Sequence, residues 1–367
     1  MTQNKMDLDA AYYNAVDLLK ALIAIPRVSR DEKAAADYLE QYMQRESGQR
    51  VFRRGNNCWL IAPGFDFGRP TLLLNAHIDT VRPSDSWTHD PFTPTEGEDG
   101  RIYGLGSNDD GASLVSLLHT YLLLKDLPQP YNLIFLASAE EEVSGRGGIE
   151  SVLPELPRID LALVGEPTGM RAAVAEKGLV VLDGEALGRS GHAARNEGDN
   201  AIYHALPAIE RLRTYQFPRE SDTLGPVKIS VTQIQAGTAH NVVPDHCTFV
   251  VDVRTTDAYS NEEVVRALQE AVAPVTLTPR STRLQPSGIS PEHPLVRRVL
   301  CLGRETFGSP TLSDQALLSC PSLKIGPGDS ARSHTADEYI HPEEIREAIA
   351  LYVSLLSGLQ IEEVKTK

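Results

Sequence analysis

Three short apolar runs, TLLLNA at 71–76, YNLIFLAS at 131–138 and DLALV at 160–164, each lead within a few residues into a His, Asp or Glu. No other feature constrains the fold as strongly. Runs of this length without polar alternation are strands buried on both faces, and helical patterns separate them, which predicts an α/β core around a mostly parallel sheet. CWLIA at 58–62 adds a further strand. Apolar residues at helical spacing predict helices over 9–25, 112–126, 148–154, 293–307 and 342–357. Another runs to about 46, and Ser29 and Glu32 look like the capping box that opens it.

The pattern changes near 172. From AAVAEKGLVVLDGEALG onward come a helix at 199–214, strands at 226–234 and 246–254 and a helix at 261–272, the order of a compact β-α-β-β-α-β, ferredoxin-like unit. The predicted organisation is therefore a discontinuous main domain, 1–171 and 286–367, carrying a smaller α+β domain inserted at 172–285. A length of 367 residues agrees with two domains, and the Pro- and Ser-containing stretch at 284–294 is the candidate hinge.

Composition removes several function classes. A net charge of -15 with no basic run disfavours a nucleic-acid partner, because phosphate binding draws on clustered Lys and Arg. Cys58, Cys247, Cys301 and Cys320 lie far apart with no C-x-x-C pair, so neither a zinc ribbon nor a disulfide framework is expected. The opening MTQNKMDLDAAYY has no apolar h-region and no run of eighteen apolar residues occurs, which argues against a signal peptide or membrane span. A cytoplasmic location is the resulting expectation.

The chemistry sits where strands end. NAHIDTV places His77 and Asp79 two apart, so that on an extended segment both point the same way at the sheet's ligand-binding edge. YGLGSNDDGAS, 103–113, delivers Asp109 and Asp110 to the start of an apolar helix, although acids there also serve as caps. YNLIFLAS runs into Glu140, Glu141 and Glu142, which repel one another and lose solvation unless a cation or proton compensates. Another buried strand ends in Glu166, and GPGDSARSHTADEYI brings His334. Each segment alone has a plainer reading as a turn, a cap or an exposed loop. Together they repeat one design, and two histidines with three carboxylates suit zinc or a similar divalent ion, a shared carboxylate allowing two metals about 3.5 to 4 Å apart.

The motifs AHIDT, GLGSNDDGA, SAEEEVSGRGG, GEPT and GPGDSARSHTADEY, in order over nearly the whole chain, resemble those of the metal-dependent aminoacylase and carboxypeptidase family. That family includes acetylornithine deacetylase, succinyl-diaminopimelate desuccinylase and the bacterial glutamate carboxypeptidase. The resemblance implies that His77, Asp109 and Glu166 hold one metal and Asp109, Glu142 and His334 the other, with zinc expected first and cobalt second. Asp79 would orient His77, and Glu141 would be the general base. The inserted domain would dimerise the chain; its His192 would reach the partner's active site and help stabilise the oxyanion, and Asn241 and Arg254 would grip the substrate's α-carboxylate.

Gly111, where relatives commonly carry Lys, the SHTADEY ending and SDQALL at 313–318, a segment expected to line the acyl or side-chain pocket, bear on the substrate rather than the metals. The expected activity is removal of an N-acyl group from a small amino acid. N-acetylornithine comes first; acyl-citrulline and succinyl-diaminopimelate follow. A relative that binds metal or a small molecule without catalysis is the alternative of a different class.

Overall fold

A computed structural model describes residues 2–361 of the chain, so the outermost ends of the expected main domain, residue 1 and 362–367, lie outside the described residues. Two compact units emerge. One contains the residues up to 174, 289–307 and those from 313 onward; the other contains 175–288 and 308–312. Residues 308–312, expected with the main domain, group with the second unit.

In the first unit the sheet runs, edge inward, Phe52–Arg54, Asn57–Ile61, Asn132–Ser138, Thr71–His77, Leu161–Val164, Ser322–Lys324 and Ala172–Glu176. The four strands from Asn132–Ser138 to Ser322–Lys324 are mutually parallel. Alternation explains why these strands are apolar throughout. Leu72, Leu74, Leu133 and Phe135 enter the core beneath helices Ala112–Leu124 and Pro342–Leu356, while Leu73, Ile134 and Leu136 pack with Trp59, Ile149 and Val152 on the other face. Both faces are covered, as an unbroken apolar pattern requires. Among the described residues no helix is long and apolar enough to cross a membrane.

The second unit is a four-stranded antiparallel sheet in the order Lys228–Ala236, His246–Thr255, Gly178–Leu187 and Thr276–Pro279. Helices Ala201–Thr214 and Asn261–Val272 cover one face, giving the β-α-β-β-α-β order read from the sequence. Helix Asn261–Val272 opens on a true capping box: Ser260 Oγ accepts the Glu263 N–H at 3.1 Å and Glu263 Oε2 accepts the Ser260 N–H at 2.9 Å. Ser260→Ala is therefore expected to cost about 1 kcal/mol, measurable as a lower urea midpoint with unchanged slope.

The same S-x-x-E signature at Ser29 fails, because helix Lys33–Ser47 starts later and Glu32 is its cap residue without a side-chain cap bond. Ser29 is drawn instead to Asp79, and Glu32 accepts the Arg30 N–H. The helix expected over 293–307 is only Pro294–Cys301. Gly303, at φ +73°, follows it in the left-handed conformation that ends helices, and Thr306–Ser309 is a strand. All four cysteines are free; Cys301 is exposed.

Candidate metal centre

Parallel strands bring their C-terminal ends to one edge, and three of them deliver acids or imidazole there. His77 closes strand Thr71–His77 and lies in register with Ser138, after which Glu140–Glu142 follow; Glu166 comes two residues after strand Leu161–Val164. Asp109 arrives on the turn Ser107–Gly111 that precedes helix Ala112–Leu124, and His334 on the loop after strand Ser322–Lys324. Ligating atoms of His77, Glu141 and Glu166 lie within 4.8 Å of one another, as do those of His77, Asp109 and Glu142.

The individual contacts define the geometry. His77 Nε2 is 3.2 Å from Asp109 Oδ1 and 3.9 Å from Glu141 Oε2. Its Nδ1 is 3.0 Å from the Asp79 carbonyl, which can only accept, so Nδ1 carries a proton and Nε2 faces the carboxylates. His334 Nε2 is 2.9 Å from Glu142 Oε2 and 3.7 Å from Asp109 Oδ2, placing Asp109 between the two imidazoles. Asp79 works from behind. Its carboxylate lies 3.5 Å from His77 Nδ1 and accepts the N–H groups of Glu141 and Glu142 and the hydroxyl of Ser29.

Excess negative charge dominates the electrostatics. Burial, with Asp314, Glu142 and Asp79 adding like charge, holds the Glu141 carboxyl well above its ordinary range. Burial, Asp109 and Glu141 do the same to Glu166. Burial chiefly drives Asp110 up to about 8. Burial opposes a charge on His77, yet Asp109 and Asp79 keep its proton well above the ordinary imidazole range. Glu142 likewise raises His334 to about 9. The clustered carboxylate oxygens and imidazole nitrogens are a donor set that fits divalent cations.

Of the three consecutive glutamates only two enter the cluster: Glu140, at φ +56°, turns its carboxylate toward the Gly147 N–H. Asp109 and Asp110 are not helix caps, since no side chain caps helix Ala112–Leu124. Asp314, the one acid of the segment 313–318, is buried and accepts hydrogen bonds from Asn75 at 2.8 Å and Ser138 at 2.5 Å.

His192, Asn241 and Arg254 belong to the second unit. His192, exposed, lies in a two-residue strand beside Val242, and the Asn241 carbonyl accepts the Ala193 N–H. Arg254, half-buried, makes two contacts with Asp252, 2.9 and 3.2 Å.

The sequence did not single out Arg27, Glu338 or Ser29 as site residues. Arg27 and Glu338 are fully buried and bind the backbone of the Asp109 loop. Their one signal was a charge inside a segment otherwise committed to the core or to the His334 motif.

A family model described as peptidase family M20/M25/M40 matches residues 73–358. Acetylornithine deacetylase of Shigella sonnei is 29% identical, over 93% of this chain and 96% of that protein. A tripeptidase from Staphylococcus aureus superposes with a TM-score of 0.77 at 20% identity, covering 94% of this chain and 97% of its own. A Bacillus subtilis protein described as a dinuclear metal-binding peptidase of the M20 family does so at 0.73 and 16%, covering 95% and 98%.

Proposed function

The chain belongs to peptidase family M20/M25/M40, whose members hydrolyse amide bonds, and we propose that within it the protein is an N-acyl-amino-acid deacylase with N-acetylornithine as first candidate substrate. The observation that carries this reading is the desolvated Glu141 beside His77, next to Glu142 and Asp109 with their second imidazole, His334, and grouped with Glu166. Similarity to an acetylornithine deacetylase supports the choice of acyl amino acid.

In this proposal His77, Asp109 and Glu166 hold one cation, Asp109, Glu142 and His334 the other, and Asp109 is shared. Zinc, with cobalt second, matches the donors. Bound there, such cations supply Lewis acidity toward water and toward the scissile carbonyl. Glu141 takes a proton from the attacking water onto its carboxylate and passes it to the leaving amine nitrogen. Asp79 holds His77 and the Glu141–Glu142 backbone in place.

His192, supplied by the partner of a homodimer, stabilises the oxyanion, and Arg254 and Asn241 hold the substrate's α-carboxylate by charge-assisted hydrogen bonds. Dimerisation through the second unit is supported by its exposed Leu187, Tyr203, Leu206, Ile234 and Val242 and by the free edge of strand Lys228–Ala236.

The test is amine release by metal-reconstituted protein from the acetyl and succinyl derivatives of ornithine, citrulline and diaminopimelate. Highest kcat/KM on N-acetylornithine is the expected result; release from none of them sinks the deacylase reading. On the best substrate, Arg254→Ala should raise KM about 10- to 100-fold with a smaller change in kcat, the scale of a lost charged hydrogen bond.

A further inference from the structure

The loop that presents Asp109 is gripped from two sides. Glu338 is almost wholly buried, and its carboxylate accepts three backbone N–H groups of that loop: Gly106 at 2.9 Å on one oxygen, Asn108 and Asp109 at 2.8 Å each on the other. Its own carbonyl accepts the Gly104 N–H at 3.0 Å. Opposite, the buried Arg27 guanidinium donates to the Gly106 carbonyl at 2.9 Å and to the Leu22 carbonyl at 2.6 Å. Gly106, at φ +72°, is what admits it, since a Cβ there would stand 2.4 Å from Arg27 Nη2. Asn108 adds a link through Asp329, accepting its N–H at 2.9 Å and donating to its carbonyl at 3.1 Å.

Glu338 lies four positions after His334, on the segment that also brings that imidazole to Glu142 and Asp109. One carboxylate thereby ties two distant pieces of chain, 229 positions apart at the Asp109 bond, into a fixed relation. A carboxylate this deeply buried costs solvation that only good partners return, and three N–H groups with a guanidinium beyond them are such partners. Nothing in the bond-breaking chemistry calls for Glu338 itself.

We propose that Glu338 is a positioning residue that sets the spacing between Asp109 and His334, and so governs the cation site formed by Asp109, Glu142 and His334 far more than the one formed by His77, Asp109 and Glu166. This rests on the ligand assignment of the proposed function. Asp109 is common to both sites, but His77 and Glu166 are held by strand ends that Glu338 does not touch. His334 sits at φ +59° on a loop and depends on that loop's anchorage. Outer contacts of this kind are worth about 10- to 100-fold in metal affinity.

The experiment is calorimetric titration of metal-free wild-type and Glu338→Gln protein with Co2+, with the cobalt absorption spectrum as a second readout. Wild type is expected to take up two ions per chain. In the variant one ion should bind within about threefold of wild type and the other about 10- to 100-fold more weakly, with an altered spectrum for the weakened ion only. Two wild-type-like affinities in the variant, or equal weakening of both, overturns the positioning role while leaving the functional reading intact. Fewer than two ions on wild type overturns both. If Glu338→Gln shows no cooperative melt, Glu338→Asp carries the same test, because it keeps the charge and withdraws it from the loop. Selective weakening of one ion is again expected, and unchanged binding again overturns the proposal.

Discussion

Glu141→Gln is expected to lower kcat for amide hydrolysis by about 10²- to 10⁴-fold, the usual contribution of a positioned general base, while both cations still bind. The change is nearly isosteric and removes only the capacity to take and return a proton. Glu142, the neighbour, is the glutamate that His334 contacts at 2.9 Å, whereas Glu141 stands 3.9 Å from His77 with its carboxyl desolvated among like charges. Single-turnover kinetics and metal stoichiometry measured on one preparation separate the roles. Wild-type turnover in the variant would falsify the base assignment. Loss of one cation would instead place Glu141 among the ligands.

Removing divalent cations with a chelator is expected to abolish turnover and to make stability fall as pH rises. Glu141 and Glu166 hold protons well above the ordinary value of 4.5, Glu338 to about 7 and Asp110 to about 8. Above the ordinary carboxylate range the unfolded chain releases these protons while the folded protein retains them, so each step up in pH favours unfolding until the folded values are passed. His77 acts in the same direction, because its raised value gives stability that is complete below 6.5 and lost above it. Asp79 and Asp109 are depressed and oppose the trend only in acid, below their ordinary 3.8. Scanning calorimetry should give the metal-free protein a higher melting temperature at about pH 5.5 than at about pH 8, and saturating zinc should flatten or reverse that slope. A metal-free melting temperature that is level or rising across this range sinks the account.

Much of this site was legible because strand and function coincide. An apolar run that stops at His77, or two residues short of Glu166, announces both a buried strand and the edge where it ends. The second unit was legible through the change near 172 to longer strand-like stretches with two interleaved helices, and the strand there is Gly178–Leu187. What stayed hidden depends on partners remote in sequence. Ser29 and Ser260 carry the same S-x-x-E spacing, and only one caps a helix, because Asp79 captures the hydroxyl of the other. Glu140, Glu141 and Glu142 cannot be told apart by composition, and a left-handed residue decides which carboxylate leaves the cluster. Arg27 and Glu338 look like surface charges until the loop between Gly104 and Gly111 closes on them.

His334 meets Glu142 across 192 positions, and the strand that leads to it, Ser322–Lys324, pairs in parallel with Leu161–Val164. On the proposed ligand set, four ligands are synthesised long before His334. With His334 as the proposed fifth ligand, a ribosome-bound chain halted ahead of residue 334 would lack the Asp109, Glu142 and His334 cation site, so that loading of this site would follow synthesis of the second unit.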